Sequence, residues 1–329
     1  MWVSLTDAAG LVTGVVIAAS ALVYYFATRP KHLYVSKKDL EKDLSGKIIM
    51  VTGSNSGIGL EMSIQFYKQG AQVIMTGRSP ERLSAAKQEV LKSVGEVGNR
   101  PDPIVLITDF ADFDQLKSAA KEFLTMNMKL DVLMSNAGTL IAGERQETKQ
   151  GLEMHIGTNH FGKFLFIELI RNQIKKGGRI CITSSNYVDQ GPANVPGGVV
   201  KTKCDFEDLH WEKRAYETWS AYGQSKHANG LHAMHLAELL KKDEITVVHY
   251  HPGYVNTQLF EGLVARNAPK GMTESSTKNF SFESMKKCFT LKTANDSGDD
   301  FDSKNKSLYI VTYLLKALIY VEILCSKKP

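Results

Sequence analysis

The sequence predicts an α/β protein, a doubly wound parallel sheet in a single domain, preceded by an N-terminal membrane-anchor helix. Three observations predict it. Short, nearly continuously apolar runs alternate with helical stretches, and strands buried on both faces of a parallel sheet read in this way. A glycine-rich turn follows the first apolar run. A run of 21 residues without a charge, Ala8 to Thr28, lies near the start of the chain. Composition agrees: of 329 residues, 43% are hydrophobic, 23% charged and 9% aromatic, which excludes a disordered, collagen-like or disulfide-scaffold protein.

The uncharged run comes first. At 1.5 Å per residue it reaches about 30 Å, the thickness of a hydrocarbon core. Tyr24, Tyr25 and Phe26 cluster at one end, as interfacial aromatics do. Arg29, Lys31, Lys37 and Lys38 follow, and Asp7 is the only charge before the run, so the positive-inside rule puts the bulk of the protein in the cytosol. A cleaved signal peptide would want a basic start, which Met1 to Asp7 lacks. A buried core helix would usually be shorter. Residues 1–43 are therefore expected to be an anchor and basic connector. Whether the anchor spans a bilayer or lies in a monolayer, as on a lipid droplet, stays open.

The alternation begins next. Strands are expected at Ile48–Thr52, Gln72–Thr76, Ile104–Thr108, Asp131–Ser135, Arg179–Thr183 and Ile245–Tyr250, each short, apolar and rich in β-branched residues. Helices are expected at Leu60–Gln69, Pro80–Val94, Phe113–Met126, His160–Lys176 and Tyr222–Lys242. Strand alternating with helix implies βαβ units with right-handed crossovers, over a domain from 44 to 264. Residues 186–219 interrupt the rhythm with Gly191-Pro192 and Pro196-Gly197-Gly198, an insertion of the kind that borders substrate sites. Residues 265–329 are a divergent, largely polar segment. Within it 308–325 is apolar but broken by Lys316 and Glu322, so it reads as a helix lying on protein or membrane rather than a span.

Charge and cysteines exclude several classes. A net charge of +5, from 40 Lys and Arg against 35 Asp and Glu, with no basic block, gives no argument for a nucleic-acid partner. Cys181, Cys204, Cys288 and Cys325 form no CxxC pair and read as free thiols, with no metal site. Cys181 lies in an apolar run and reads as packing.

The residues that carry chemistry sit where expected strands end. Thr52-Gly53-Ser54-Asn55-Ser56-Gly57-Ile58-Gly59 joins the first strand to the first helix. Such a turn brings backbone N–H groups to a pyrophosphate at a helix N-terminus, as in Rossmann-type dinucleotide sites. The second strand ends at Gly77-Arg78, where NAD-preferring sites place an acidic residue against the ribose. A guanidinium there suits a 2′-phosphate, so NADP(H) is favoured over NAD(H); a solvated surface arginine is the plain alternative. Asp109 could accept from an adenine amino group or cap a helix. Asn136-Ala137-Gly138 ends the fourth strand. Ser184-Ser185 ends the fifth, and Tyr222 and Lys226 lie four apart on one helix face, where an ammonium would stabilise a phenolate and lower its pKa.

Taken in order, TGSNSGIG, the acidic residue after strand three, SNAG, TNHFG, ITSS, YGQSK and HPGYVNT resemble the short-chain dehydrogenase/reductase superfamily over about Leu44 to Phe260. With Arg78 and the anchor, the chain is most similar to the retinol dehydrogenase-like branch. The resemblance implies that Gly53, Gly57 and Gly59 line the pyrophosphate and that Asn136 supports the central strand. It implies Asn159 as a proton-relay residue, Ser185 rather than Ser184 as the catalytic serine, Tyr222 as general acid/base, and Lys226 as the residue that binds the nicotinamide ribose and tunes Tyr222. Pro252, Gly253, Val255 and Thr257 match the nicotinamide-side segment, and Ser54, Asn55, Ile58, Ala137 and Gly138 complete the cofactor-binding set. Three departures stand out: Ser135 replaces the first asparagine of the usual NNAG, 37 positions separate Ser185 from Tyr222, and no clear match to a last helix and strand follows Phe260.

The implied function is NADP(H)-dependent hydride transfer to or from a lipophilic alcohol or carbonyl such as a retinoid, steroid or other lipid. A catalytically weak nucleotide-binding or scaffold protein of the same fold is the alternative. The expected partners are a small lipophilic substrate and a membrane or lipid-droplet surface, with the catalytic domain facing the cytosol, on the endoplasmic reticulum or a droplet. A homo-oligomer stays open.

Overall fold

In the computed structural model, which describes residues 40–94, 100–185 and 204–252, each of the six apolar runs forms a strand. They are β1 Ile48–Thr52, β2 Gln72–Gly77, β3 Ile104–Ile107, β4 Leu130–Ser135, β5 Ile174–Thr183 and β6 Thr246–Tyr250. All pair in parallel, in the order β3-β2-β1-β4-β5-β6. The order reverses between β1 and β4, and in open α/β sheets that is where the strand ends flank a ligand crevice.

Among the described residues, five helices cover the sheet: α1 Gly57–Lys68, α2 Pro80–Lys92, α3 Phe113–Thr125, α4 Gly162–Ile170 and α5 Thr218–Leu239. Their starts are chemically marked. Ser79 caps α2 by accepting from Arg82 N at 3.2 Å, with Pro80 in the first turn. Asp112 caps α3 through Asp114 N and Gln115 N. Glu217 caps α5 through Trp219 N and Ser220 N.

Two apolar clusters show why each strand is apolar on both sides. Ile49 and Val51 of β1 pack with Met62 and Phe66 of α1 and Leu83 and Val90 of α2. Met50, between them in sequence, faces the other way, toward Leu116 and Phe123 of α3, Phe166 of α4 and Leu236 of α5. Burying one such side chain contributes roughly 1.5–3 kcal/mol. Cys181 lies in the first cluster, fully buried as expected, and burial pushes its thiol up to about 12. At the end of the sheet opposite the crevice, Asp131 joins β4 to its neighbours. It accepts from Ile48 N at 2.9 Å and pairs with Lys175 at 2.7 Å and Lys47 at 3.2 Å.

The structure departs most from expectation between His160 and Lys176. A helix was expected from His160 to Lys176. Instead a turn at Met154–Ile156 passes through a π-helical segment, Gly157–Phe161, into α4, which stops at Ile170. Residues 174–176 already belong to β5: Ile174 pairs with Leu130, and the pairing breaks register before Val132 joins Arg179. Gly177, at φ +74°, supplies the left-handed backbone that this irregularity needs.

Among the described residues no helix is long and apolar enough to cross a membrane. The expected anchor at 8–28, the apolar stretch at 308–325 and any strand after β6 lie outside them.

Candidate active site

Three positions of the turn between β1 and α1 require glycine. Gly53 has φ +70°, and a Cβ there would stand 2.9 Å from Ala137 Cα. A Cβ on Gly59 would collide with the Gly53 carbonyl oxygen. Gly57 also has a left-handed backbone, φ +54°. Ser54 is turned inward: its Oγ donates to Val51 O at 2.5 Å and accepts from Thr76 N, and its own N–H donates to Thr76 O. It was expected in the cofactor-binding set, yet both polar groups are used in tying β1 to β2, so its side chain shapes the cradle instead of facing it. Asn55 leans over the end of β2, its Oδ1 3.2 Å from where a Gly77 Cβ would be. Ile58 packs into the apolar cluster under α1 and α2.

Arg78 follows directly on β2, exposed, and pairs with no carboxylate among the described residues. Asp109 follows β3. Its Oδ1 accepts from Ala111 N at 2.9 Å, a local turn, while Asp112 and not Asp109 caps α3. Asn136 ties three strand ends together. Its N–H donates to Thr52 Oγ1 at 2.9 Å, its Nδ2 donates to Thr52 O at 3.0 Å, and its Oδ1 accepts from Thr183 Oγ1 at 3.5 Å. The neighbouring Ala137 N–H also donates to Thr52 Oγ1.

The catalytic candidates converge on the ends of β4 and β5. Asn159 is fully buried in the π-helical segment, a geometry that recurs at functional sites. Its Oδ1 accepts from Thr139 N at 2.6 Å, and its Nδ2 donates to Thr139 O at 2.9 Å and Ser225 Oγ at 3.0 Å. The side chain therefore locks the loop after β4 to α5. Lys226 donates to Thr183 O at 3.3 Å and lies 5.5 Å from the Tyr222 ring centroid. A Cβ on Gly138 would come 3.1 Å from Asn159 Oδ1 and 3.5 Å from Lys226 Nζ, so this glycine makes room for both.

The two serines separate cleanly. Ser184 is buried and donates to the Lys226 carbonyl at 3.2 Å. Ser185 hydrogen-bonds the Tyr222 phenol. The long gap between Ser185 and Tyr222 thus closes in space.

The electrostatics correct one expectation. Lys226 was expected to lower the Tyr222 pKa. Burial dominates instead and pushes the phenol up to about 12, with only the Ser185 hydrogen bond acting downward. Lys226 is itself buried and held down to about 8. Burial disfavours both charged forms, and the lysine donates to a backbone carbonyl instead of the phenol.

Sequence reasoning missed the wall beside Tyr222. Glu153 and His155 are completely buried. Ile141 N donates to His155 Nε2 at 3.0 Å, so Nδ1 carries the proton and donates to Glu153 Oε1 at 2.9 Å. Tyr216 OH donates to the same oxygen at 2.8 Å. The His155 ring stands edge-on to Tyr222, at 6.1 Å between centroids, and Leu140, Ala142 and Trp219 pack around the phenol. The described end of the expected insertion is fastened here. Arg214 stacks on Trp211 at 3.8 Å, pairs with Asp205 at 2.7 Å and donates to Gln224 Oε1 of α5 at 3.0 Å. Thr218 and Trp219, expected in the insertion, begin α5. Pro252 follows β6, half-buried, at the same rim; Gly253, Val255 and Thr257 lie outside the described residues, as do 186–203.

Known proteins resemble this chain. Residues 47–197 match the short chain dehydrogenase family. A Streptomyces protein named as a daunorubicin C-13 ketoreductase is 33% identical over 222 residues, 68% of this chain and 70% of its own length. Human retinol dehydrogenase 11 is 33% identical over 218 residues, 66% of this chain but only 63% of its own length. Among solved structures, an uncharacterised protein of Mycobacterium paratuberculosis superposes with a TM-score of 0.52 at 29% identity, over 66% of this chain and 72% of its own.

Proposed function

The chain belongs to the short-chain dehydrogenase/reductase family of NAD(P)-dependent oxidoreductases, and on that premise we propose that it interconverts a lipophilic alcohol and its carbonyl with NADP(H). The observation that carries the reading is the gathering of Ser185, Tyr222, Lys226 and Asn159 at the strand ends beside a glycine cradle.

Roles follow from position. The nicotinamide cofactor, when bound, supplies or accepts the hydride. Gly53, Gly57 and Gly59 open the cradle for its pyrophosphate. Asp109 and Asn136-Ala137-Gly138 border the crevice, and Lys226 is the ribose ligand. Arg78, exposed and without an acidic partner among the described residues, provides a planar donor pair for a 2′-phosphate. Ser185 holds the substrate oxygen and Tyr222 gives it a proton in reduction or takes one in oxidation. Asn159 keeps the loop after β4 and helix α5 in register, so that these groups stay aligned. Gly253, Val255 and Thr257 would complete the nicotinamide side.

Two points support a lipophilic substrate at a membrane. The uncharged run at 8–28, flanked by aromatic and basic residues, has the length and the ends of an anchor. Curated relatives include retinol dehydrogenases 11, 13 and 14 of human origin. The test is turnover by the full chain in its membrane fraction, with NADPH and with NADH, against retinaldehyde, a steroid ketone and a long-chain aldehyde. Faster oxidation of NADPH with at least one of them supports the reading. Binding of NADPH with no turnover on any carbonyl would overturn it in favour of a nucleotide-binding scaffold.

A further inference from the structure

The loop that follows β4 is held against Tyr222 at two points. Asn159 grips both backbone groups of Thr139. Two residues on, Ile141 N donates to His155 Nε2 at 3.0 Å. Leu140 lies between these ties and packs on Tyr222, with Ala142 beside it. The second tie depends on a tautomer. Nε2 accepts only while its lone pair is free, so the ring proton has to sit on Nδ1. Free imidazole can carry its proton on either nitrogen, and here the surroundings choose.

Glu153 makes the choice. It is completely buried. Its Oε1 accepts from His155 N at 3.0 Å and from His155 Nδ1 at 2.9 Å, and its Oε2 accepts from Ile156 N at 2.8 Å. Burial alone would raise the pKa of this carboxyl, but the hydrogen bonds from His155 and Ile156 outweigh burial and hold it below the ordinary value. It is therefore an acceptor at neutral pH. Tyr216 closes the triangle. Its hydroxyl donates to Glu153 Oε1 at 2.8 Å, and its oxygen lies 3.0 Å from His155 Nδ1. Burial and the Glu153 charge push this phenol up, so it stays a donor. Arg145 and Glu217 also act on Tyr216. Arg145 Nε donates to the His210 carbonyl at 2.6 Å, and His210 Nδ1 accepts from Glu153 N at 3.3 Å. From the other side, Ser185 and Lys226 face Tyr222.

We propose that Glu153 and Tyr216 fix His155 as the Nδ1–H tautomer, and that His155, through its tie to Ile141, is a positioning residue for Tyr222. The proposal rests on the hydride-transfer reading above. Both ring nitrogens of His155 are engaged, so it acts through the loop and not on the substrate. The tie keeps Leu140 pressed on the phenol, and the phenol then meets the substrate oxygen in line with the hydride. Tyr216 brings the described end of the insertion into the same arrangement.

The test uses the full chain with NADPH and whichever carbonyl it turns over. His155→Phe keeps a ring and loses the lone pair. It is expected to keep the KM for NADPH and to lower kcat by roughly tenfold. The primary isotope effect from NADPH deuterated at the transferred position is expected to rise, because hydride transfer becomes the slower step. His155→Gln can set an amide oxygen where Nε2 stands and is expected to recover most of the loss. Tyr216→Phe removes one hydroxyl and is expected to lower kcat about threefold with the same isotope signature. It decides the matter if His155→Phe does not fold. In wild-type protein with nitrogen-labelled histidine, the His155 signal, identified by its loss in His155→Gln, is expected at the shift of the Nδ1–H tautomer. A proton on Nε2 would overturn the proposal. Folded His155→Phe or Tyr216→Phe with wild-type kcat and isotope effect would overturn it and leave the hydride-transfer reading intact. Equal losses in His155→Phe and His155→Gln, or losses without an isotope effect, would overturn it in favour of packing. Wild-type protein without turnover on any carbonyl would overturn both readings.

Discussion

Tyr222 and Lys226 set the pH dependence of the proposed chemistry. Burial keeps the phenol protonated, with its pKa up at about 12, and keeps the Lys226 ammonium only below about 8. A protonated phenol is the form that donates in carbonyl reduction, whereas oxidation needs the phenolate. Reduction is therefore expected to be level through neutral pH and to fall above about 8, where Lys226 loses its charge. Alcohol oxidation is expected to climb with pH over the same range. Rate–pH profiles in both directions check this, and a reduction rate that rises above pH 8 would contradict the assigned states. Arg78 makes a second residue-level prediction. Arg78→Glu places a like charge against a 2′-phosphate, so the ratio of kcat/KM for NADPH over NADH is expected to drop by roughly 100-fold, about 2.7 kcal/mol. An unchanged ratio would mean that the exposed guanidinium does not face the cofactor.

At the scale of elements, the strand ends hold the site, and two ties can be probed. Gly138→Ala would place a Cβ 3.1 Å from Asn159 Oδ1 and 3.5 Å from Lys226 Nζ. It is expected to lower kcat by about tenfold, because the added methyl displaces two groups that hold the site in register. Asp131 joins the opposite ends of β1, β4 and β5. Burial alone would raise its pKa, but Lys175 and Ile48 N outweigh burial and hold it below the ordinary value. A lowered carboxylate pKa stabilises the fold above the unfolded-state value, near 4, and that contribution is lost as pH falls through the folded-state value. Asp131→Asn is expected to cost about 1 kcal/mol at pH 7, a charged hydrogen bond discounted for the exposed lysines, and progressively less below pH 4. Urea unfolding at both pH values measures the difference. All six strands were legible because burial on both faces leaves each one apolar throughout, and β1 falls on the expected residues. The end of α4 was not legible. Ile174 continues the apolar spacing of the helix before it, and only its pairing with Leu130 places it in the sheet. Ser185 and Tyr222 were legible from their motifs. The trio of Glu153, His155 and Tyr216 was not, because Tyr216 meets its partners across 61 and 63 positions.

For the whole molecule, the two-sided sheet explains why the chemistry collects at one rim. Helices cover both faces, the Asp131 ties close one end, and the described catalytic candidates gather around the strand termini at the other. The proposed anchor at 8–28 would hold the protein at a surface where lipophilic carbonyls are concentrated, and deleting residues 1–30 is expected to release the protein from membranes on fractionation. Partition unchanged by the deletion would contradict the anchor. The central claim is that Tyr222 moves the proton in NADP(H)-dependent hydride transfer. It is tested most directly by single-turnover NADPH oxidation with a lipophilic carbonyl in the wild type and in Tyr222→Phe, with NADPH affinity measured for both by fluorescence. The account predicts that the variant binds NADPH as the wild type does and loses turnover by at least about 100-fold. A variant that binds NADPH and oxidises it at the wild-type rate would contradict it.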